Sequence, residues 1–260
     1  MKLIYGQVEK ILRSCESDFP LLPPTQLYNE GWMLRLTVDW FRSLDLTSGP
    51  HPLAVPPDCR WYSEALLPSA FLPEYRGDPR AESWTHVDGV IGDFDIGSVA
   101  KGDLLLRADP KHFVVLEAKI FSKLSAGVKN ASYFNQAARN VACIAEVLKR
   151  AGRPVRDFEA LAFYVLAPSS QIELGLFDEH LTKADLGRVV ERRVLEYNGK
   201  RDRWFADWFV PTLDRLDIRA FSWEELVSFL VERDEDAAEL RTFYERCLDF
   251  NRLPEEVEHL

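Results

Sequence analysis

The stretch that most constrains how this chain can fold is residues 101–120, KGDLLLRADPKHFVVLEAKI. Two apolar runs, 104–106 and 113–116, flank Ala108, Asp109, Pro110 and Lys111, a turn-forming group that predicts a hairpin of two paired strands. Strand side chains alternate between faces. Phe113, Val115, Glu117, Lys119 and Phe121 therefore point one way, and Val114, Leu116, Ala118 and Ile120 the other. Both faces ahead of Glu117 are apolar, the mark of a strand covered on both sides. A charged pair ending such a strand needs partners or a function. Asp103 opens the neighbouring strand, and the hairpin is expected to carry it back past Glu117. One acid on one strand and acid-x-Lys on the next suit a divalent cation beside a lysine. The carboxylates supply hard oxygen ligands for Mg2+ or Mn2+, and the lysine stabilises a phosphate or helps deprotonate water. Taken alone, Glu-x-Lys fits a surface ion pair as well.

At 260 residues the chain is long enough for one large α/β domain or one domain with an appendage. The formal net charge of -10 argues against a protein that coats nucleic acid through a broad basic surface, but leaves room for a local basic groove. Some of that negative charge is accounted for if carboxylates serve as metal ligands. Cys15, Cys59, Cys143 and Cys247 are scattered without CxxC or paired His spacing, which predicts reduced thiols in a cytoplasmic protein rather than zinc ligands. Glu9 and Lys10 come too early for a signal sequence, and no run approaches the roughly 20 apolar residues of a membrane span.

Along the chain, residues 2–15 have helical spacing, and Thr25 is the expected N-cap of a helix over about 26–43. Glu30 lies in line with Leu27, Leu34, Val38 and Phe41 on that helix, a carboxylate facing the core; a place near the exposed helix start, favoured by the dipole, is the other reading. Residues 46–80 form an irregular excursion, with 61–72 expected to be helical inside it. Residues 84–96 predict a strand beside the hairpin; Asp88, Asp93 and Asp95 there read as turn residues before ligands. A loop over 122–130 carries Lys123, Ser125, Lys129 and Asn130, candidates for contacting nucleic acid. A helix over about 132–150 then presents Gln136, Asn140, Cys143 and Val147 on one face with Tyr133 leading it, and Tyr133 and Asn140 are further candidates for contacting nucleic acid. Buried amides need partners, which a metal-bound water, a phosphate or a strand-edge backbone can provide. Residues 158–166 predict another strand, and the remainder from about 177 is mostly helical, with a short strand at 218–221 and a capping box at Ser222 and Glu225. Arg188, Arg192, Arg193, Lys200, Arg201 and Arg203 form the densest basic cluster.

Glu30 on an early helix, Asp103 on a strand, Glu117-Ala118-Lys119 on the next and Gln136 on the following helix form an ordered series that resembles the PD-(D/E)xK nuclease superfamily over residues 26–167. The resemblance implies an α/β restriction-endonuclease-like core, residues 1–170, built on a mixed four- to five-stranded sheet flanked by helices, with a mainly helical extension over 171–260. It implies Mg2+ or Mn2+ held by Glu30, Asp103 and Glu117, water activation assisted by Lys119, and support of metal or phosphate by Gln136. Gly102 stands where that family's motif has proline, the least chemically necessary part of it. The expected activity is phosphodiester hydrolysis in nucleic acid, DNA before RNA, in the cytoplasm and without a membrane partner. A homodimer or a protein partner is open. Two rivals stand beside it: a catalytically silent or partner-dependent protein on the same fold, and a metal-dependent hydrolase of a small phosphorylated molecule.

Overall fold

The computed structural model of the chain describes residues 2–44, 46, 51–97, 101–127 and 131–252. In chain order the elements are α1 (Lys2–Arg13), α2 (Glu30–Ser43), β1 (Arg60–Leu67), β2 (Thr85–Gly92), β3 (Phe94–Ile96), β4 (Leu104–Leu106), β5 (His112–Ala118), α3 (Gln136–Ala151), β6 (Ala160–Ala167), α4 (Ser169–Glu173), α5 (Lys183–Leu195), α6 (Asp202–Trp204), α7 (Val210–Arg215), β7 (Asp217–Ser222), α8 (Trp223–Val231) and α9 (Ala238–Asn251). Five strands form one mixed sheet in the order β1-β2-β5-β6-β7, antiparallel across β1, β2 and β5 and parallel across β5, β6 and β7. β3 and β4 pair separately. The fold is therefore α/β, with helices on both faces of the sheet and a mainly helical C-terminal third that also supplies the edge strand β7.

The central position of β5 follows from its sequence, since its consecutive apolar residues can be buried only where both faces are covered. Phe113 and Val115 pack with Phe163 and Val165 of β6 against Ala138, Val141 and Ile144 of α3 and Leu186 and Val190 of α5. Val114, Leu116 and Ala118 pack on the other face, with Met33, Leu34 and Phe41 of α2, Trp223 and Leu226 of α8, and Leu240 of α9. The small residues Ala137, Ala138, Ala142 and Ala145 let α3 sit close on the sheet. Asn135 caps its start by accepting from Ala138 N at 2.9 Å, and Gly152 ends it in the left-handed region at φ 63°.

Three expectations are corrected. The hairpin over 101–120 does not form, because β4 pairs with β3 and the antiparallel partner of β5 is β2. The chain through the expected turn is instead pinned to the end of β2. Arg107 N donates to Asp93 O, and the Asp93 carboxylate takes the amides of Lys111 and His112 at 2.8 and 2.9 Å. Residues 61–72 do not form a helix, since Trp61 through Leu67 lie in β1 and pair with β2. Glu64-Ala65-Leu66-Leu67 has helical propensity, but the ladder offered by β2 prevails. Thr25 does not cap α2. Residues 24–26 form a single 3-10 turn, and Asn29 is the N-cap, accepting from Trp32 N at 3.0 Å.

Candidate active site

Glu117 sits near the C-terminal end of β5 on the face covered by α3, and the fold collects three donors on its carboxylate. Lys119 Nζ donates to Oε1 at 2.6 Å, Gln136 Nε2 donates to the same oxygen, and Asn140 Nδ2 donates to Oε2 at 3.0 Å. Gln136 and Asn140 are one helical turn apart at the start of α3, which is why both reach the same carboxylate. The loop before α3 is strapped to the site, with Ser125 N donating to Gln136 Oε1 and Gln136 N to Ser125 O, both at 3.1 Å. Lys119 is 7% exposed; its backbone is held from both sides, with Lys119 N donating to Leu166 O and Trp223 Nε1 donating to Lys119 O, each at 2.8 Å.

The acid that meets Glu117 is Asp88 of β2. The register that pairs Gly89 with Leu116 puts Asp88 opposite Glu117, but the ladder stops at Gly89. Beyond that point Asp88 Oδ2 accepts from Ala118 N at 2.8 Å, so a side chain takes the amide that a continuing ladder would use. The β1–β2 ladder is interrupted at the same level, skipping Glu64, which has a left-handed φ of 60°. The β2–β5 ladder thus ends, and the β1–β2 ladder skips a residue, where the carboxylates gather. Burial drives the Glu117 pKa upward, the neighbouring Asp88 charge adds to the rise, and Lys119 opposes it.

Glu30 is the first residue of α2, half-buried at the helix N-terminus, where a negative charge is favoured. It lines a recess of about 400 Å³ with Asp88, Glu64, Arg35 and Gln26. Arg35 donates to Ser63 Oγ at 2.7 Å and pairs with Glu64 Oε1 at 3.4 Å, so a guanidinium stands at the recess. Asp88 belongs both to this recess and to the environment of Glu117, and so connects the two halves of the site.

Asp103 stands apart. It is buried and forms a parallel bridge with Leu66 on the outer side of β1, where Leu66 N donates to Gly102 O at 2.7 Å. β1 and β2 therefore lie between it and β5, and the expected meeting of Asp103 with Glu117 is replaced by that of Asp88. Asp88 was legible only as one of three acids in a glycine-rich run. The signal that would single it out is its place just inside an apolar strand, in register with the acid of acid-x-Lys.

Of the residues expected to touch nucleic acid, Lys123 and Ser125 are exposed, while Lys129 and Asn130 lie outside the described residues. Tyr133 is half-buried, donates its hydroxyl to Glu196 and lies under the Arg192 guanidinium at 3.7 Å. Asn140 is fully buried, with one amide hydrogen on Glu117. The basic cluster is largely committed to local ion pairs. Arg193 is enclosed with Glu82 and Glu196, Arg188 pairs with Asp185, Lys200 and Arg201 with Glu74, and Arg203 with Asp207. Among the described residues no helix is long and apolar enough to cross a membrane.

No protein-family model, no curated protein and no solved structure matches this chain.

Proposed function

We propose that the chain is a divalent-metal-dependent nuclease of the restriction-endonuclease-like fold, hydrolysing phosphodiester bonds in nucleic acid, DNA before RNA. The observation that carries this reading is the Asp88–Glu117 carboxylate pair where the β2–β5 ladder ends, with Lys119 on Glu117. A donor set made of carboxylate oxygens fits Mg2+ or Mn2+ rather than a thiophilic metal. Asp88 and Glu117 are the residues to hold the ion, and Glu30 lines the recess with Asp88. When bound, the ion supplies an activated water and neutralises charge on the phosphate. Lys119 carries a positive charge that offsets the negative charge developing in the transition state, while Gln136 and Asn140 fix the Glu117 carboxylate. Arg35 offers a second cation for a phosphate entering the recess.

A second reading, a nuclease-like protein with a binding or regulatory role, is favoured by one observation: Glu117 is 1% exposed and already accepts from three donors. Incubation of single-stranded DNA, duplex DNA and RNA with Mg2+ or Mn2+, wild type beside Lys119→Ala, separates the two. Metal-dependent cleavage lost in the variant supports the nuclease. Metal binding without turnover on any of the three supports the regulatory protein.

A further inference from the structure

The same strand register that aligns the carboxylates at one end of the sheet gathers a chemically different group at the other. Arg60 of β1 and Phe113 of β5 both pair with Gly92 of β2, so the next residue outward on each strand is Cys59, Asp93 and His112. The Cys59 sulfur, a carboxylate oxygen of Asp93 and a ring nitrogen of His112 all lie within 4.8 Å of one another. Cys59 Sγ is 3.6 Å from Asp93 Oδ1, and His112 Nδ1 is 3.7 Å from Asp93 Oδ2. The Asp93 carboxylate is fixed by the amides of Lys111 and His112, both on Oδ2, which leaves Oδ1 turned toward the thiol. Close approach of the strands here requires glycine at 92. Its φ is 150°, and a Cβ there would stand 2.1 Å from the carbonyl oxygen of His112.

We propose that Cys59, Asp93 and His112 form a binding site for a zinc-class divalent transition metal, distinct in place and chemistry from the Asp88–Glu117 site. Metal–ligand bonds of about 2.0–2.3 Å in tetrahedral geometry separate neighbouring ligand atoms by roughly 3.3–3.8 Å. The 3.6 and 3.7 Å separations, one to each oxygen of Asp93, are close to that spacing, and one ligand atom from each residue lies within 4.8 Å of the other two, so metal binding draws the three side chains a short way together. The alternative, an aspartate that only caps the 111–112 turn, accounts for Asp93 but gives no role to a thiol and an imidazole beside it. Sulfur and imidazole select zinc, cobalt or a similar ion against Mg2+, whose preferred ligands are oxygen. Binding forms a sulfur–metal bond as the Cys59 thiol gives its proton to solvent, with no change of oxidation state. Three protein ligands leave the fourth position to water or an incoming ligand. Cys59 precedes β1, Asp93 joins β2 to β3 and His112 begins β5, so the metal pins three segments distant in sequence and stabilises the folded chain.

The test is titration of the full, untagged chain with Co2+ or Zn2+ alone, on wild type, Cys59→Ser, His112→Ala and Glu117→Gln. The proposal expects one equivalent of Co2+ bound with a sulfur-to-cobalt charge-transfer band. The band is lost in Cys59→Ser and retained in Glu117→Gln, and Zn2+ raises the unfolding temperature of wild type but not of Cys59→Ser. Cys59→Ser is nearly isosteric, so it remains informative if His112→Ala fails to fold. Absence of the band in wild type, or its persistence in Cys59→Ser, overturns the proposal.

Discussion

Asp88 Oδ2 accepts the backbone amide of Ala118 at 2.8 Å, and this bond holds the Asp88 carboxylate against Glu117 at the point where the β2–β5 ladder ends. Two acids placed together in a buried setting repel each other, so one must keep a proton or a cation must join them. Lys119 provides one positive charge at 2.6 Å from Glu117 and leaves Asp88 facing the recess shared with Glu30 and Glu64.

A thermal consequence follows from that repulsion. Mg2+ or Mn2+ bound to the native pair stabilises it by mass action, by about 2.7 kcal/mol when the ion is at a hundred times its dissociation constant. Differential scanning fluorimetry is expected to show a rise in unfolding temperature with either ion, lost in Asp88→Asn. An equal rise in Asp88→Asn would place the ion elsewhere.

Arg193 gives a prediction independent of the site. Its side chain is fully buried, donating to Glu82 Oε1 at 3.1 Å, to Glu196 and to the carbonyl of Arg80, which ties α5 to the segment between β1 and β2. Burial already pushes the Glu82 pKa upward against the pull of Arg193. Arg193→Met leaves a buried carboxylate without its cation and is expected to cost about 3–5 kcal/mol in urea unfolding, part of it recovered by adding Glu82→Gln.

His51 sets a pH dependence. It packs against Phe41 and Phe229 with ring centroids at 4.8 and 4.5 Å, and its Nδ1 accepts from Leu53 N at 3.1 Å. Burial, reinforced by Arg219 and Arg233, lowers its pKa from 6.5 to about 4. The unfolded chain therefore binds the proton first. This contribution is present in full above pH 6.5 and is lost as pH falls toward 4, by about 1–2 kcal/mol after allowing for partial exposure. Unfolding free energies across that window should slope less in His51→Phe than in wild type.

Trp223 links the C-terminal helices to the lysine. Its Nε1 donates to Lys119 O at 2.8 Å, and its ring is fully buried. Trp223→Phe removes that bond and is expected to cost about 1–2 kcal/mol of stability. Under the proposed activity it also lowers turnover, because Lys119 loses one of its two backbone anchors.

The sequence made β5, α3 and the Glu117–Lys119–Gln136 set legible because each rests on local periodicity. Alternation puts Glu117 and Lys119 on one face, and i, i+4 spacing puts Gln136 and Asn140 on another that meets it. The identity of the strand beside β5 was not legible. Asp109-Pro110 suggested a local hairpin, whereas pairing was decided by Asp93 capturing the Lys111 and His112 amides, a contact spanning 18 and 19 residues. The expected hairpin therefore brought Asp103 toward Glu117, whereas the β2–β5 pairing brings Asp88. β1 was missed for a related reason: Trp61 to Leu67 becomes a strand only because β2 is present to pair with it. Glu30 was read as facing the core or as lying near an exposed helix start; it is half-buried in the first turn, a place set by the cap at Asn29 that the sequence did not reveal.

The central claim is that Asp88 and Glu117 act together on a phosphodiester. Its most direct test is the metal-dependent cleavage rate of wild type, Asp88→Asn and Asp103→Asn on the best nucleic-acid substrate, with unfolding temperature recorded for each. A loss of at least about a hundredfold is expected in Asp88→Asn, comparable to or larger than the loss of a supporting metal-site partner, with a folded Asp103→Asn close to wild type. Full activity in Asp88→Asn, or loss confined to Asp103→Asn, would contradict it.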